Sequence, residues 1–344
     1  MLDIQENISL KERSTFKMGG IARYFAVGKD EKDLEEAHYF AKEKGLKLFL
    51  LGKGSNCVFA DIIPEMLVVS VEIKGISSEE KDETETFVTI GAGEEWDEVV
   101  AWSVLQGLSG IESMSAIPGT AGATPVQNVG AYGQEIKDTL VELRAFDRKE
   151  EKFVVLSNEE CHFAYRTSIF NTTEKERYLI SSITLKLSSL PPRLPEYPGV
   201  RDYFEMAKNK LGWEISVQEI RDAIIEIRAN KLPDPSVVAS VGSFFKNVLI
   251  EKEQAIKLQK EYPGIPTFIQ PDGKIKVPSG WLLEKAGFKG KSFGNISVYE
   301  KNALVLVHNG KGNFTELQKA KDEIIAEIEK RFGVTLVPEP LFVA

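Results

Sequence analysis

Apolar residues recur along the chain at two periods, and their alternation sets the expected order of elements. Between Glu31 and Gly45, Leu34, Ala37, His38 and Ala41 fall three or four apart, which predicts a helix stopped by Gly45. Leu46–Leu51 predicts a strand ending in the turn Gly52-Lys53-Gly54-Ser55-Asn56, so the opening is a compact βαβ-like unit. Leu67–Val71 and Thr86–Ile90 predict further strands, and Trp96, Val99, Val100 and Val104 share one face of a following helix. Residues 107–135 then lose both periods and are rich in glycine, which points to a binding loop. Strands resume at Val141–Phe146, Lys152–Leu156 and Tyr178–Leu187, and the prolines between 191 and 198 predict a loop or boundary. Ser216 and Glu219 form a capping-box pair before a helix that carries Val217, Ile220, Ile224 and Ile227 on one face. Lys231-Leu232-Pro233-Asp234-Pro235 ends that helix. A further unit from about residue 236 closes with a helix over Thr315–Phe332, lined by Leu317, Ala320, Ile324 and Ile328, and the tail Val334–Val343 predicts strand. No internal repeat is evident.

At 344 residues the chain exceeds one comfortable core, and two or three domains are expected. With 42% apolar and 28% charged residues it has an ordinary globular balance. The first residues lack the apolar stretch of a signal peptide, and no run approaches the roughly 20 apolar residues of a membrane span. The two cysteines, Cys57 and Cys161, cannot build a disulfide framework and fit a reducing cytoplasm. A net charge of -9 argues against nucleic acid as a partner, although it leaves room for a small anionic ligand held by local cations. His38, His162 and His308 show no metal-ligand spacing, and no metal site is expected.

Five clusters are candidates for chemistry. In Leu51-Gly52-Lys53-Gly54-Ser55-Asn56 the glycines allow close approach of main-chain N–H groups to a phosphate, or simply make a tight turn. It is not a GxGxxG opening a helix, so a Rossmann site is not indicated. In Ile117-Pro118-Gly119-Thr120-Ala121-Gly122-Ala123-Thr124-Pro125-Val126-Gln127-Asn128-Val129-Gly130-Ala131-Tyr132-Gly133 the side chains are small and neutral, so a long ligand can lie along the backbone. A flexible linker fits poorly there, because Ile117, Val126, Val129 and Tyr132 are interleaved with the glycines. Arg166, between Tyr165 and Thr167-Ser168-Ile169-Phe170, either makes a structural ion pair or holds a carboxylate or oxyanion with its planar fork. Ser243, in Gly242-Ser243-Phe244-Phe245-Lys246-Asn247, is either a buried, satisfied hydroxyl or a proton donor or acceptor. No GxSxG surrounds it, which excludes a hydrolase nucleophile of that type. Glu339, between Pro338 and Pro340, is either a solvated acid or a carboxylate fixed by rigid flanks.

The order of these segments is more specific than any one of them. TFKMGG (15–20), LGKGSN (51–56), IPGTAGATPVQNVGAYG (117–133), YRTSIF (165–170), KLPDP (231–235), GSFFKN (242–247) and PE (338–339) together resemble the UDP-N-acetylenolpyruvoylglucosamine reductase family from end to end. That resemblance implies an α+β fold: a two-lobed FAD-binding module of the vanillyl-alcohol-oxidase-like, PCMH type plus a C-terminal α+β substrate-binding domain. It implies one lobe from residues 1–75 with the C-terminal strand 333–344, a second lobe from 76–215, and a substrate domain from 230–332. It further implies noncovalent FAD along Leu51–Asn56 and Ile117–Gly133, and NADPH as hydride donor. The implied catalytic residues are Arg166, Ser243 and Glu339. Tyr165, Tyr197, Lys231, Lys246 and Asn247 are implied in substrate binding, with Tyr197 in the proline-rich loop marking the longer form of the family. The implied substrate is a small molecule, the enolpyruvyl ether of a UDP-sugar, and the implied location is the cytoplasm.

Two other classes compete with this reading. Oxidases of small alcohols or sugars share the flavin module, and many tether FAD through a histidine after the first glycine-rich turn. Ser55 stands there in this chain, and none of its histidines lies in either glycine-rich loop. A noncatalytic nucleotide-binding module is the other, and it predicts no bleaching of bound flavin by NADPH.

Overall fold

The structure is a computed structural model that describes residues 1–63, 65–208, 215–270 and 272–344. By contact the chain divides into two compact units. The first comprises Met1–Ile8, Ala22–Lys53 and Glu65–Ala229, and the second Ser9–Ile21, Gly54–Pro64 and Asn230–Ala344. Both expected lobes, 1–75 and 76–215, contribute most of their residues to the first unit, but Ser9–Ile21, the turn after Lys53 and the strand 333–344 expected with the first lobe all fall in the second.

The first unit is built on two sheets. In one, Met66–Val71 lies between Ile21–Gly28 and Lys47–Leu51 and runs parallel to both. Every residue of Met66–Val71 is buried, as a strand covered on both faces requires. The crossover is helix α1, Glu31–Glu43, whose Leu34, Ala37, His38 and Ala41 are buried as their spacing predicts. Asp30 caps it by accepting from the Asp33 N–H, and Gly45 beyond its end takes φ +64°. The two outer strands of this βαβ unit pair with Met66–Val71 rather than with each other.

The other sheet is antiparallel, in the order Lys152–Ser157, Leu140–Asp147, Tyr178–Ser188, Glu85–Gly91, Ile76–Glu80. Ile76–Glu80 is an edge strand whose Ser-Ser-Glu-Glu run leaves no apolar alternation in the sequence. Helix α2, Trp96–Leu105, buries Trp96, Val99, Val100 and Val104. The proline-rich segment contains a short helix, α3, over Pro198–Tyr203, where the sequence predicts only loop. Pro198 starts it, because the first helical turn needs no N–H from that residue. Helix α4, Val217–Lys231, follows, and Ser216 and Glu219 make the reciprocal capping hydrogen bonds expected of them.

In the second unit, a four-stranded sheet in the order Ser240–Ser243, Val305–His308, Ile296–Val298, Ser292–Phe293 belongs to an apolar core with helix α7. Helices α5 (Lys252–Glu261), α6 (Ser279–Lys285) and α7 (Phe314–Phe332) supply Ala255, Leu258, Leu282, Leu283, Leu317, Ala320, Ile324 and Ile328 to that core. The tail forms strand only over Leu341–Val343, parallel to Cys57–Phe59. The expected longer strand fails because Pro338 and Pro340 have no N–H to donate to a ladder. No helix among the described residues is long and apolar enough to cross a membrane.

Candidate active site

In the first unit the two glycine-rich segments meet. Leu51 is buried at the end of its strand, and a methyl group built on Gly52 would come within 2.5 Å of Thr120 Oγ1. Exposed Lys53 pairs with Glu95 just before α2. Thr120 forms a bridge with Glu95: Trp96 N–H donates to the Gly119 carbonyl and Ala121 N–H to the Glu94 carbonyl. Gly122 N–H donates to the Ala92 carbonyl, and a Cβ at Gly122 would lie 2.5 Å from that of Ala92. Thr124 Oγ1 donates to the Ala121 carbonyl and closes the turn from inside.

Buried and accessible residues alternate along this loop. Thr120, Ala121, Thr124, Asn128 and Gly130 are buried, while Pro118, Ala123 and Gly133 are exposed, with Ile117, Gly119, Gly122, Gln127 and Ala131 between. Its accessible edge is therefore mostly small or main-chain, which fits a flat, extended ligand such as a dinucleotide.

Asn128, at φ 48°, commits its side chain to the protein: Nδ2 donates to Glu135 and to the Ala164 carbonyl, and Oδ1 accepts from Lys137 N–H. Buried Glu112 accepts from Gly110 N–H and Gln134 Nε2, while Asp97 accepts from Ala116 N–H. These side chains help hold a loop whose regular structure is limited to short 3-10 turns and the pairing of Gly130-Ala131 with Gln134-Glu135.

Arg166 sits in a tight turn in which Ala164 and Thr167 exchange main-chain hydrogen bonds. It takes φ 52°, and its guanidinium donates to the Gly130 carbonyl at 2.9 Å and the Asn128 carbonyl at 3.5 Å. Its charge also lies 5.4 Å from the centre of the Tyr165 ring. Ser168 Oγ donates to the Val126 carbonyl, and Asn171 Nδ2 donates to the Arg166 carbonyl. Thus the YRTSIF segment is fastened to the second glycine-rich loop at three points. Ser168 makes one of those points, while Asn171, just beyond the segment and not singled out by residue type, braces the Arg166 turn from within.

Tyr132, at φ 50°, turns its ring edge-on to Tyr197 at 5.1 Å. Tyr197 is 46% exposed and directly precedes α3. Burial raises the Tyr132 hydroxyl above its ordinary range and lowers the nearby Arg228 guanidinium. Arg228, whose Nε has no hydrogen-bond partner among the described residues, carries no signal that a sequence reading could use. The same holds for Arg221, whose two-pronged bond to Asp97 ties α4 to α2.

The second unit brings Ser243, Lys246, Asn247 and Glu339 together with Asn56. After Ser243 the chain runs antiparallel to 337–339: Lys246 N–H donates to the Val337 carbonyl and Glu339 N–H to the Phe244 carbonyl, each at 2.9 Å. Asn56 Nδ2 donates to the Glu339 carbonyl, and Leu341 N–H to that of Asn56. Asn247 Oδ1 and the Lys246 carbonyl both accept from Ser279 at the start of α6. Lys231 is exposed at the end of α4.

Gly54 belongs to this unit, at φ +61°, and a Cβ there would lie 2.3 Å from the Arg13 carbonyl. The close approach that requires glycine at Gly54, as at Gly122, is therefore made by the protein's own chain. Burial pushes the thiols of Cys57, beside this site, and of Cys161 up to about 12.

Two clefts of about 310 and 330 Å³ lie away from all these residues, around Glu31, Lys74 and Ser182 and around Lys81, Phe87 and Thr184. Glu31 in the first is engaged by Arg144 and Ser181. The convergence of polar groups at Ser243 and Glu339 is the better guide to chemistry than either volume.

Residues 234–343 match the family model described as the C-terminal domain of UDP-N-acetylenolpyruvoylglucosamine reductase, and residues 22–157 match that of an FAD binding domain. The UDP-N-acetylenolpyruvoylglucosamine reductase of Cupriavidus pinatubonensis is 40% identical over 342 residues, 99% of each chain. That of Pseudomonas aeruginosa is 38% identical over 341 residues, 98% of each. The solved UDP-N-acetylenolpyruvylglucosamine reductase from Thermus caldophilus covers 100% of both chains with a TM-score of 0.68 at 18% identity, and so has the same fold.

Proposed function

This chain belongs to the UDP-N-acetylenolpyruvoylglucosamine reductase family, and from that membership we propose which of its residues carry the reaction. It is an FAD-containing, NADPH-dependent oxidoreductase that reduces UDP-N-acetylenolpyruvoylglucosamine to UDP-N-acetylmuramate in peptidoglycan precursor synthesis. The small-molecule oxidase alternative is not favoured by this membership. Its setting is the cytoplasm.

Leu51–Asn56 and Ile117–Gly133 would hold FAD noncovalently, and the bound flavin would supply hydride transfer between NADPH and the enolpyruvyl ether. Hydride addition at the terminal vinyl carbon breaks the π bond and leaves its electron pair on the carbon bearing the ether oxygen, conjugated with the carboxylate. Arg166 stabilises that charge through the carboxylate, and Glu339 shares the role by hydrogen bonding. The Ser243 hydroxyl delivers its proton to the carbon bearing the ether oxygen, and solvent restores it. A serine hydroxyl is a weak acid in water but a strong one relative to such a carbanion. Tyr197 and Lys231 bind the nucleotide and its diphosphate, and Tyr165, Lys246 and Asn247 contribute to substrate binding. NADPH and the sugar nucleotide use the site in turn, which gives ping-pong kinetics.

The observation that carries this assignment is the hydrogen bond from Glu339 N–H to the Phe244 carbonyl. It fixes the backbone of Glu339 beside the residue that follows the candidate proton donor. The test separates the two half-reactions by stopped-flow absorbance. Ser243→Ala is expected to bind FAD and bleach with NADPH as the wild type does, yet to reoxidise with the sugar nucleotide about 10²–10⁴-fold more slowly. Ser243→Cys retains part of the second step, since a thiol also donates a proton. Normal reoxidation of the alanine variant rules Ser243 out as the donor, and equal slowing of both halves means a damaged site.

A further inference from the structure

The strand that carries Ser243 is not regular. Ser240 pairs with Val307 and Ser243 with Val305, so Val241 and Gly242 together oppose the single residue Leu306. One extra residue on one side of an antiparallel pair is a β-bulge, which bends the strand and re-aims the side chain beyond it. Gly242 sits at φ +70°, the left-handed conformation such a bulge uses. A Cβ built there meets no atom within 4 Å, so the need for glycine is conformational and not steric.

The consequence falls on Ser243. In a regular strand, residues two apart share a face, so Ser243 would join Val241, which is buried in the core at 4% exposure. The bulge reverses this parity, because partners opposite Val305 and Val307 lie on one face. Ser243 thereby leaves the face of Val241 for that of Ser240 and Val305, and although those two are buried it is itself partly exposed. The strand cannot slide to undo the bulge. Thr15 grips Ser240 with two hydrogen bonds, Ser240 N–H to the Thr15 carbonyl and Thr15 Oγ1 to the Ser240 carbonyl. On the other side Phe244 N–H donates to the Leu304 carbonyl at 2.7 Å, and Glu339 N–H donates to Phe244.

We propose that Gly242 is a positioning residue for proton delivery: its left-handed bulge turns the Ser243 hydroxyl off the face of Val241 and toward the substrate carbon. This inference rests on Ser243 being the proton donor. A residue with a Cβ strains the left-handed conformation, and asparagine tolerates it better than alanine does.

The test uses the full-length, FAD-loaded enzyme in the same two half-reactions. Gly242→Ala is expected to bleach with NADPH within about twofold of the wild type. Its reoxidation by the sugar nucleotide slows on the order of 100-fold, the usual cost of a misplaced reacting group. Gly242→Asn recovers most of that loss and is slowed only a few-fold. Placed in a Ser243→Ala background, Gly242→Ala adds no further slowing, because the group it positions is already gone. Should the alanine variant fail to fold, the few-fold loss in Gly242→Asn, absent in the Ser243→Ala background, carries the test. Wild-type reoxidation in Gly242→Ala, an asparagine variant no faster than alanine, or slowing that persists without the serine hydroxyl overturns the proposal. Normal reoxidation of Ser243→Ala alone sinks instead the proton-donor assignment beneath it.

Discussion

At Arg166 the backbone and the side chain make opposite demands. A left-handed φ costs an L-residue roughly 1–2 kcal/mol, and glycine or asparagine would avoid most of it. The guanidinium offsets that cost by reaching the carbonyls of Gly130 and Asn128, which gives it both a loop to hold and a fixed aim. Arg166→Lys keeps the charge but loses the fork. We expect it to retain FAD and to lose turnover equivalent to about 2–4 kcal/mol of transition-state stabilisation, measured as kcat/KM for the sugar nucleotide. Wild-type turnover would make the arginine a loop fastener only. Gly54 and Gly122 show the converse case. A valine at either collides with the chain itself, at Arg13 or at Ala92, so loss of flavin from those variants reports folding as much as cofactor contact.

Among the elements, the antiparallel sheet of the first unit has a polar clasp with a measurable role. Asp147, at the end of Leu140–Asp147, takes a two-pronged hydrogen bond from Arg177 at 2.7 and 3.0 Å, while Glu174 holds the same arginine. The Asp147 side chain is only 3% exposed. Removing Asp147 leaves Arg177 to Glu174 and solvent, and takes the acceptor away from the Lys149 and Glu150 N–H groups. Asp147→Ala is therefore expected to lower the denaturation midpoint markedly while leaving the flavin spectrum of the surviving folded protein unchanged. A midpoint within experimental error of the wild type would show that solvent compensates the arginine. Helix α7 contrasts with this clasp, since its apolar spacing, its Asn313 cap and Gly333 at φ 64° all lie in one continuous stretch of sequence.

For the molecule as a whole, charge sets an acid limit. The Arg177 hydrogen bond holds the Asp147 carboxyl below its ordinary range. At Asp97 and Glu31 burial works upward, but Arg221 and Arg144 bring the net shift below that range too. Carboxyls lowered in the folded state contribute stability that is fully present above their unfolded values. That stability is lost as pH falls through the folded ones. The melting temperature should thus be level near neutrality and fall as pH drops below the ordinary carboxylate range, from about 4.5 downward. Thermal scans across pH 3–7 test this, and a flat profile down to pH 3 would remove these pairs from the stability account.

Local pattern alone determined most of the elements: α1, α2, α4, α7 and the central strands follow from spacing and caps, because burial on one face imposes a period that the chain must write down. It also drew attention to Arg166, Ser243 and Glu339, through segments whose residue types are unusual together. It could not indicate Ile76–Glu80, a polar edge strand made by its neighbour, nor α3 inside a proline-rich run. It could not show that Asn128 spends its amide on the loop, or that Gly54 and Gly122 are required by contacts with Arg13 and Ala92. Nor could it place Glu339 beside Phe244, or find the bulge that re-aims Ser243. Those facts depend on partners that are distant in sequence, and hydrogen bonds between distant segments leave no periodic trace in either one.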